Sequence, residues 1–200
     1  MFKVGITGGI GTGKSTVCRI FTAFGIPCYD ADTRAKWLTE NHPGIREALI
    51  QHFGPEVFAG GILNRPFLAG AAFKDASKTE LLNNITHPPL REDFSKWTNV
   101  QVQLGAPYVL KEAALLYEAG SYKELDTMIV VTAPLEMRVR RVLKRDTQRT
   151  EQQVLDIINR QWPDEKKIAM ANHIITNDEQ SLLIPQVIAL HQEFIKAALL

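Results

Sequence analysis

Apolar positions along the chain alternate between two periods, and the changes of period mark out its elements. "FKVGIT" (2–7) is a short apolar run of the kind that becomes a buried strand, while "KSTVCRIFTAF" (14–24) places Val17, Ile20, Phe21 and Phe24 at helical spacing. Gly25 reads as a helix stop, "IPCY" (26–29) as a second strand, and "DADTRAKWLTE" (30–40) opens with acids that suit a helix start. This is a βαβ opening. Beyond it, "PGIREALIQHFG" (43–54) reads as a helix and "GGILNRPFLAGAAF" (60–73) as a turn followed by a helix opening near Arg65 and Pro66. Residues 75–105 read as two helices broken near Pro88 and Pro89, so the middle of the chain is mainly helical.

The second half returns to alternation. "PYVLKEAALLYEAG" (107–120) supplies a third strand over 108–111 and then a loop or short helix carrying Glu112 and Glu118. "LDTMIVVTA" (125–133) is the clearest strand, with the continuous apolar run of a parallel strand buried on both faces. "PLEMRVRRVLKRD" (134–146) follows as a helix with proline in its first turn, "HIITN" (173–177) is a final strand, and residues 179–200 form an amphipathic helix with a boundary at Pro185. The expected architecture is α/β: three layers, a mainly parallel five-stranded sheet with helices on both faces, and ligands at the C-terminal edge of the strands.

The stretch joining the first strand to the first helix is rich in glycine, which calls for a backbone shape or a close approach that other residues forbid. Gly8, four residues, then Gly13, Lys14 and Ser15 satisfy GxxxxGK[ST] without a mismatch. In that pattern backbone N–H groups cradle phosphate oxygens, Lys14 reaches the β- and γ-phosphates and Ser15 ligates Mg²⁺. A dinucleotide fingerprint GxGxxG fails, because from Gly9 and Gly11 its third glycine position holds Lys14.

Composition narrows the rest. Two hundred residues, 45% hydrophobic and 22% charged, make one globular domain of ordinary size with a substantial core. A formal net charge of +1 speaks against a broad nucleic-acid or membrane surface, so any anion site is local. Cys18 and Cys28 lack metal-ligand spacing and a disulfide framework, the five histidines form no HxxxH pair, and no signal-like segment or long apolar run is present. A cytoplasmic chain with buried thiols is expected.

Because the first helix runs back across the sheet, the second strand ends at the same edge as the first. Asp30 and Asp32 of "DAD" are thereby brought toward Lys14 and Ser15. One carboxylate can accept a proton from an attacking hydroxyl and either can organise Mg²⁺; the alternative for both is helix capping. Arg138, Arg141 and Arg145 fall at i, i+3 and i+7 of one helix, where positive groups can meet charge on a transferring phosphoryl group or merely form a solvated face. A guanine-reading NKxD is absent, and the third strand has Glu112 just beyond it but no terminal Asp. Small size, DAD and the arginine helix favour a small-molecule kinase.

The ordered set "GITGGIGTGKST", "DAD", Leu63 and Arg65 in "GILNRPFL", His87-Pro88, "LLYE", "RVLKRD" and "HIITN" resembles the dephospho-CoA kinase family over nearly the whole chain. The resemblance implies ATP-dependent phosphorylation of the ribose 3′-hydroxyl of dephospho-CoA, the last step of CoA synthesis, with Mg²⁺. It implies Gly11, Thr12, Gly13, Lys14, Ser15 and Thr16 as the phosphate cradle, and Asp32 as base for the acceptor hydroxyl. Asp30 joins Ser15 as a candidate metal ligand. Arg141 and Arg145 match lid arginines, Asn177 and Asp178 lie near adenine, and Arg65 and His87 bind acceptor or hold its subdomain together, His87 as a turn histidine. It also implies a nucleotide-binding core of about 1–35 and 105–200, an acceptor-side helical subdomain of about 36–104 and a lid of about 138–165. A monomer or weak homo-oligomer is expected. This chain departs from the family's pattern at Ala114, where proline is frequent, at Lys36, where arginine is frequent, and at Arg149, where Ser or Thr is commoner. The rival readings are a nucleoside or nucleoside monophosphate kinase and a non-catalytic ATP-binding regulatory module.

Overall fold

The computed structural model describes residues 1–72 and 74–199; Phe73 and Leu200, which the sequence reading puts at helix ends, lie outside the described residues. In chain order the elements are β1 (Phe2–Thr7), α1 (Lys14–Ala23), β2 (Cys28–Asp30), α2 (Ala31–Asn41), α3 (Pro43–Phe53), β3 (Phe58–Ala59), β4 (Ile62–Leu63), α4 (Arg65–Ala72) and α5 (Ala76–Gln103). The chain continues through β5 (Tyr108–Glu112), β6 (Thr127–Thr132), α6 (Leu135–Arg145), α7 (Glu151–Arg160), α8 (Asp164–Met170), β7 (His173–Thr176) and α9 (Leu183–Ala197).

Two compact units account for the described residues: Met1–Asp30 with Val100–Leu200, and Ala31–Asn99. In the first, five strands pair in the order β2-β5-β1-β6-β7, every pair parallel. Parallel strands need covering on both faces. Alternation turns Val4, Ile6, Leu110, Ile129 and Val131 toward α1 and α9, where they pack with Val17, Phe21, Val187 and Phe194 in one apolar cluster. α8 lies against β6. The chain leaves β1 at the point where its neighbours are β5 on one side and β6 on the other, the crevice that parallel sheets offer to ligands.

In the second unit, Leu38, Ile45, Leu49, Val57 and Leu68 form a separate core. β3 and β4 pair antiparallel across Gly60-Gly61, whose φ values of 59° and 87° suit the tight turn of a two-residue hairpin. Two-residue strands are too short to show a period, and the sequence reading has only the turn.

Several expectations change. α5 runs unbroken through Pro88 and Pro89. Leu82 and Ile85 before the prolines and Leu90 after them pack on the same core, and this shared packing outweighs the two lost N–H donors. His87 consequently sits inside a helix and not in a turn. β2 begins at Cys28 because Pro27 accepts from the Leu110 N–H at 2.9 Å but has no N–H of its own to give the ladder. Phe24 is α1's C-cap, 42% exposed and stacked on the His191 ring, outside the core that Val17 and Phe21 share.

Candidate active site

The loop from Gly8 to Gly13 is shaped by what crowds it. A Cβ on Gly8 would come within 2.3 Å of the Val131 carbonyl oxygen, on Gly9 within 2.0 Å of the Arg138 guanidinium, on Gly11 within 2.5 Å of the Arg138 carbonyl oxygen and on Gly13 within 2.1 Å of the Asn177 amide nitrogen. Gly13, at φ 95°, is the N-cap of α1. The first turn of that helix carries neither a side-chain cap nor an acid, so its orphan N–H groups and the positive end of its dipole stay open to an anion. The Lys14 ammonium lies back over the loop and donates to the carbonyls of Gly8 (2.9 Å) and Gly9 (3.2 Å). Those carbonyls stand in for the phosphate oxygens that this lysine meets in a P-loop.

Because Gly8 (φ 148°) meets backbone rather than a flexible side chain, Gly8→Ala has no easy relaxation. Thermal unfolding of this variant is expected to show a loss of at least about 2 kcal/mol, the scale of overpacking added to backbone strain.

Side chains far away in sequence fix the loop. The Arg138 guanidinium is buried, donating from Nε to the Ile10 carbonyl at 3.0 Å and from Nη1 to Asp164 at 2.7 Å. The Ile10 N–H donates to Gln161 Oε1 at 2.9 Å. Asn177 donates from Nδ2 to the Thr12 carbonyl at 2.7 Å, while its own carbonyl and Oδ1 accept from Arg141 at 3.1 and 3.3 Å. Thr12 is fully buried and its hydroxyl donates to the Gly9 carbonyl. Arg138, Arg141 and Arg145 therefore have different environments: the first braces the loop, the second holds Asn177, and the third is exposed without an ion pair among the described residues. Arg140 and Arg141 both meet Glu179, a residue at positive φ (64°), and the Arg140 guanidinium holds its carboxyl below the usual range. The N–H groups of Ser181 and Gln180 do the same for Asp178.

The carboxylates at the strand ends complete the group. Glu112 is the last residue of β5, one place further than the sequence reading carries that strand, and it accepts from the Ser15 hydroxyl at 2.8 Å. β2 pairs in register with β5, setting Asp30 beside Glu112. The acid that closes the third strand is thus a glutamate, which a search for a terminal aspartate passes over. Asp32 occupies the first turn of α2, at the second helical position and not at the cap. In the second unit both Arg65 Nε and Nη2 donate to Glu40 Oε1, at 3.0 and 2.7 Å, and His87 is half-buried on α5. Thr16 follows Ser15 in the first turn of α1 and accepts from Arg19 at 3.3 Å.

A parallel sheet, a phosphate loop feeding an uncapped helix, and a hydroxyl and acids at the neighbouring strand ends define a P-loop protein of the small-molecule kinase type. The family model for dephospho-CoA kinase matches residues 2–182. A dephospho-CoA kinase from Bacteroides fragilis is 39% identical over 188 residues, covering 94% of this chain and 90% of that one. Among solved structures, TT1252 from Thermus thermophilus superposes with a TM-score of 0.85 at 32% identity, with 96% of each chain covered. A dephospho-CoA kinase from Campylobacter jejuni superposes with a TM-score of 0.68 at 25% identity over 98% of each. The chain belongs to the dephospho-CoA kinase family.

Proposed function

We propose that this enzyme transfers the γ-phosphoryl group of ATP to the ribose 3′-hydroxyl of dephospho-CoA, giving CoA and ADP. Membership in the family carries the acceptor's identity, and the open N-terminus of α1 with Lys14 at its mouth supports the donor. The backbone from Gly11 to Thr16 seats the phosphates, and Lys14 exchanges its loop carbonyls for β- and γ-phosphate oxygens as charge builds on the transferring group. Ser15, Asp30 and Glu112, a hydroxyl and two carboxylates, fit the hard oxygen ligation of Mg²⁺. Bound there, the ion would neutralise phosphate charge.

Asp32 orients the acceptor hydroxyl and takes its proton. Arg141 and Arg145, in a segment of about 138–165 acting as a lid, face the phosphates, and Asn177 serves the nucleotide side through its hold on Thr12. Residues 1–35 and 105–200 act as the nucleotide-binding core and 36–104 as the acceptor side, with Arg65 and His87 either meeting acceptor or bracing that unit. Among the described residues no helix is long and apolar enough to cross a membrane, and we place the enzyme in the cytoplasm as a monomer or weak homo-oligomer.

A coupled assay of ADP release, run with dephospho-CoA and with a panel of nucleosides and nucleoside monophosphates, tests the reading. ADP is expected with dephospho-CoA far above every other acceptor. Turnover with a nucleoside monophosphate and none with dephospho-CoA would transfer the assignment to the rival kinase class.

A further inference from the structure

Beside the phosphate loop, two thiols and a carboxylate converge where α1 meets β2 and β5. The register that pairs Cys28 with Leu110 and Asp30 with Glu112 turns Cys28 and Glu112 to the same face of the sheet. α1 covers that face, and Cys18 lies one turn beyond Ser15 on the same side of the helix. The two sulfurs and a Glu112 oxygen all lie within 4.8 Å of one another. A tetrahedral zinc-like ion, with sulfur ligands near 2.3 Å and oxygen near 2.1 Å, holds its ligand atoms roughly 3.5–3.8 Å apart, so small side-chain adjustments suffice. Cys18 is buried, while Cys28 on the edge strand is half-buried and leaves a way in.

A thiophilic cation displaces the thiol protons outright. Mg²⁺, which prefers oxygen, has no use for the sulfurs.

We propose that Cys18, Cys28 and Glu112 form a binding site for a borderline-soft divalent cation of the zinc class, and that its occupation draws Glu112 from Ser15 and inhibits phosphoryl transfer. The inhibitory half rests on the kinase reading; the binding half does not.

Cadmium is the probe for binding, because its thiolate charge-transfer band reports sulfur ligation and the chain has only two cysteines. Titrating the reduced protein without nucleotide or Mg²⁺ should raise a band that saturates at one Cd²⁺ per chain. Cys18→Ala and Cys28→Ala should each lose most of it. Even outer-shell partners cost about 10–100-fold in affinity, so each loss of a thiolate should raise the dissociation constant at least about tenfold. Glu112→Gln, which keeps both thiols, should retain the band with affinity also lowered at least about tenfold; this variant holds the test open if an alanine variant does not fold. A protein with two titratable thiols and no saturable band, or cysteine variants that bind as tightly as the parent, overturns the site.

For inhibition, Zn²⁺ is added to the kinase assay at fixed Mg²⁺. The double variant Cys18→Ala/Cys28→Ala, tested for turnover without Zn²⁺, should need at least about tenfold more Zn²⁺ for half-inhibition. Equal sensitivity would mean that Zn²⁺ acts by displacing Mg²⁺, and the inhibitory half falls. If no acceptor is phosphorylated, the kinase reading fails while the cadmium titration still decides the site.

Discussion

Lys14→Ala is expected to lower turnover about 10²–10³-fold, the usual loss when one preorganised donor to a developing oxyanion is removed. ATP affinity should fall much less. The reason lies in what the ammonium touches before any phosphate arrives: the Gly8 and Gly9 carbonyls at 2.9 and 3.2 Å. Ground-state binding exchanges one set of acceptors for another, whereas the gain grows only as negative charge gathers on the transferring phosphoryl group. Steady-state kcat set beside ATP binding by calorimetry separates the two. Equal losses in both would identify Lys14 as a contributor to uniform binding.

Asp32→Asn is expected to cost about 10²–10⁴-fold in kcat, the range of a positioned general base, with ATP binding retained. The substitution preserves size, and the acid it removes from the first turn of α2 contributes about 0.3–1 kcal/mol to that helix through the dipole. Full turnover in the variant would remove Asp32 from the chemistry and leave it with a helix-terminal role.

The phosphate loop could be read from the sequence because everything that defines it is local: strand, glycines, Lys14, Ser15 and helix follow one another within the first 24 residues. β6 was equally plain, since a strand buried on both faces announces itself as an unbroken apolar run. Glu112 was hidden by distance. It meets Ser15 across 97 positions, and only the parallel pairing of β5 with β1 and β2 brings it there. Arg138 looked like one member of an exposed basic stripe; that it is buried follows from the close approach of α6 to Gly9 and Gly11, which no helical period encodes. The Pro88-Pro89 pair shows the opposite failure, a strong local rule overruled by packing on both sides of it. Cys18 and Cys28 matched no ligand spacing because one lies on a helix and the other on a strand, and such spacings are written for single loops or single helices.

The bracing of the loop by Arg138, Gln161 and Asn177 bears on the timing of nucleotide capture. Glycine-rich backbone that is slack in the free protein must freeze when a ligand arrives, and that loss of freedom is subtracted from affinity. Here the freezing belongs to folding, carried by side chains of α6, the α7–α8 junction and the turn after β7. An arriving triphosphate meets a loop already ordered, so its capture does not wait for the glycine-rich backbone to freeze.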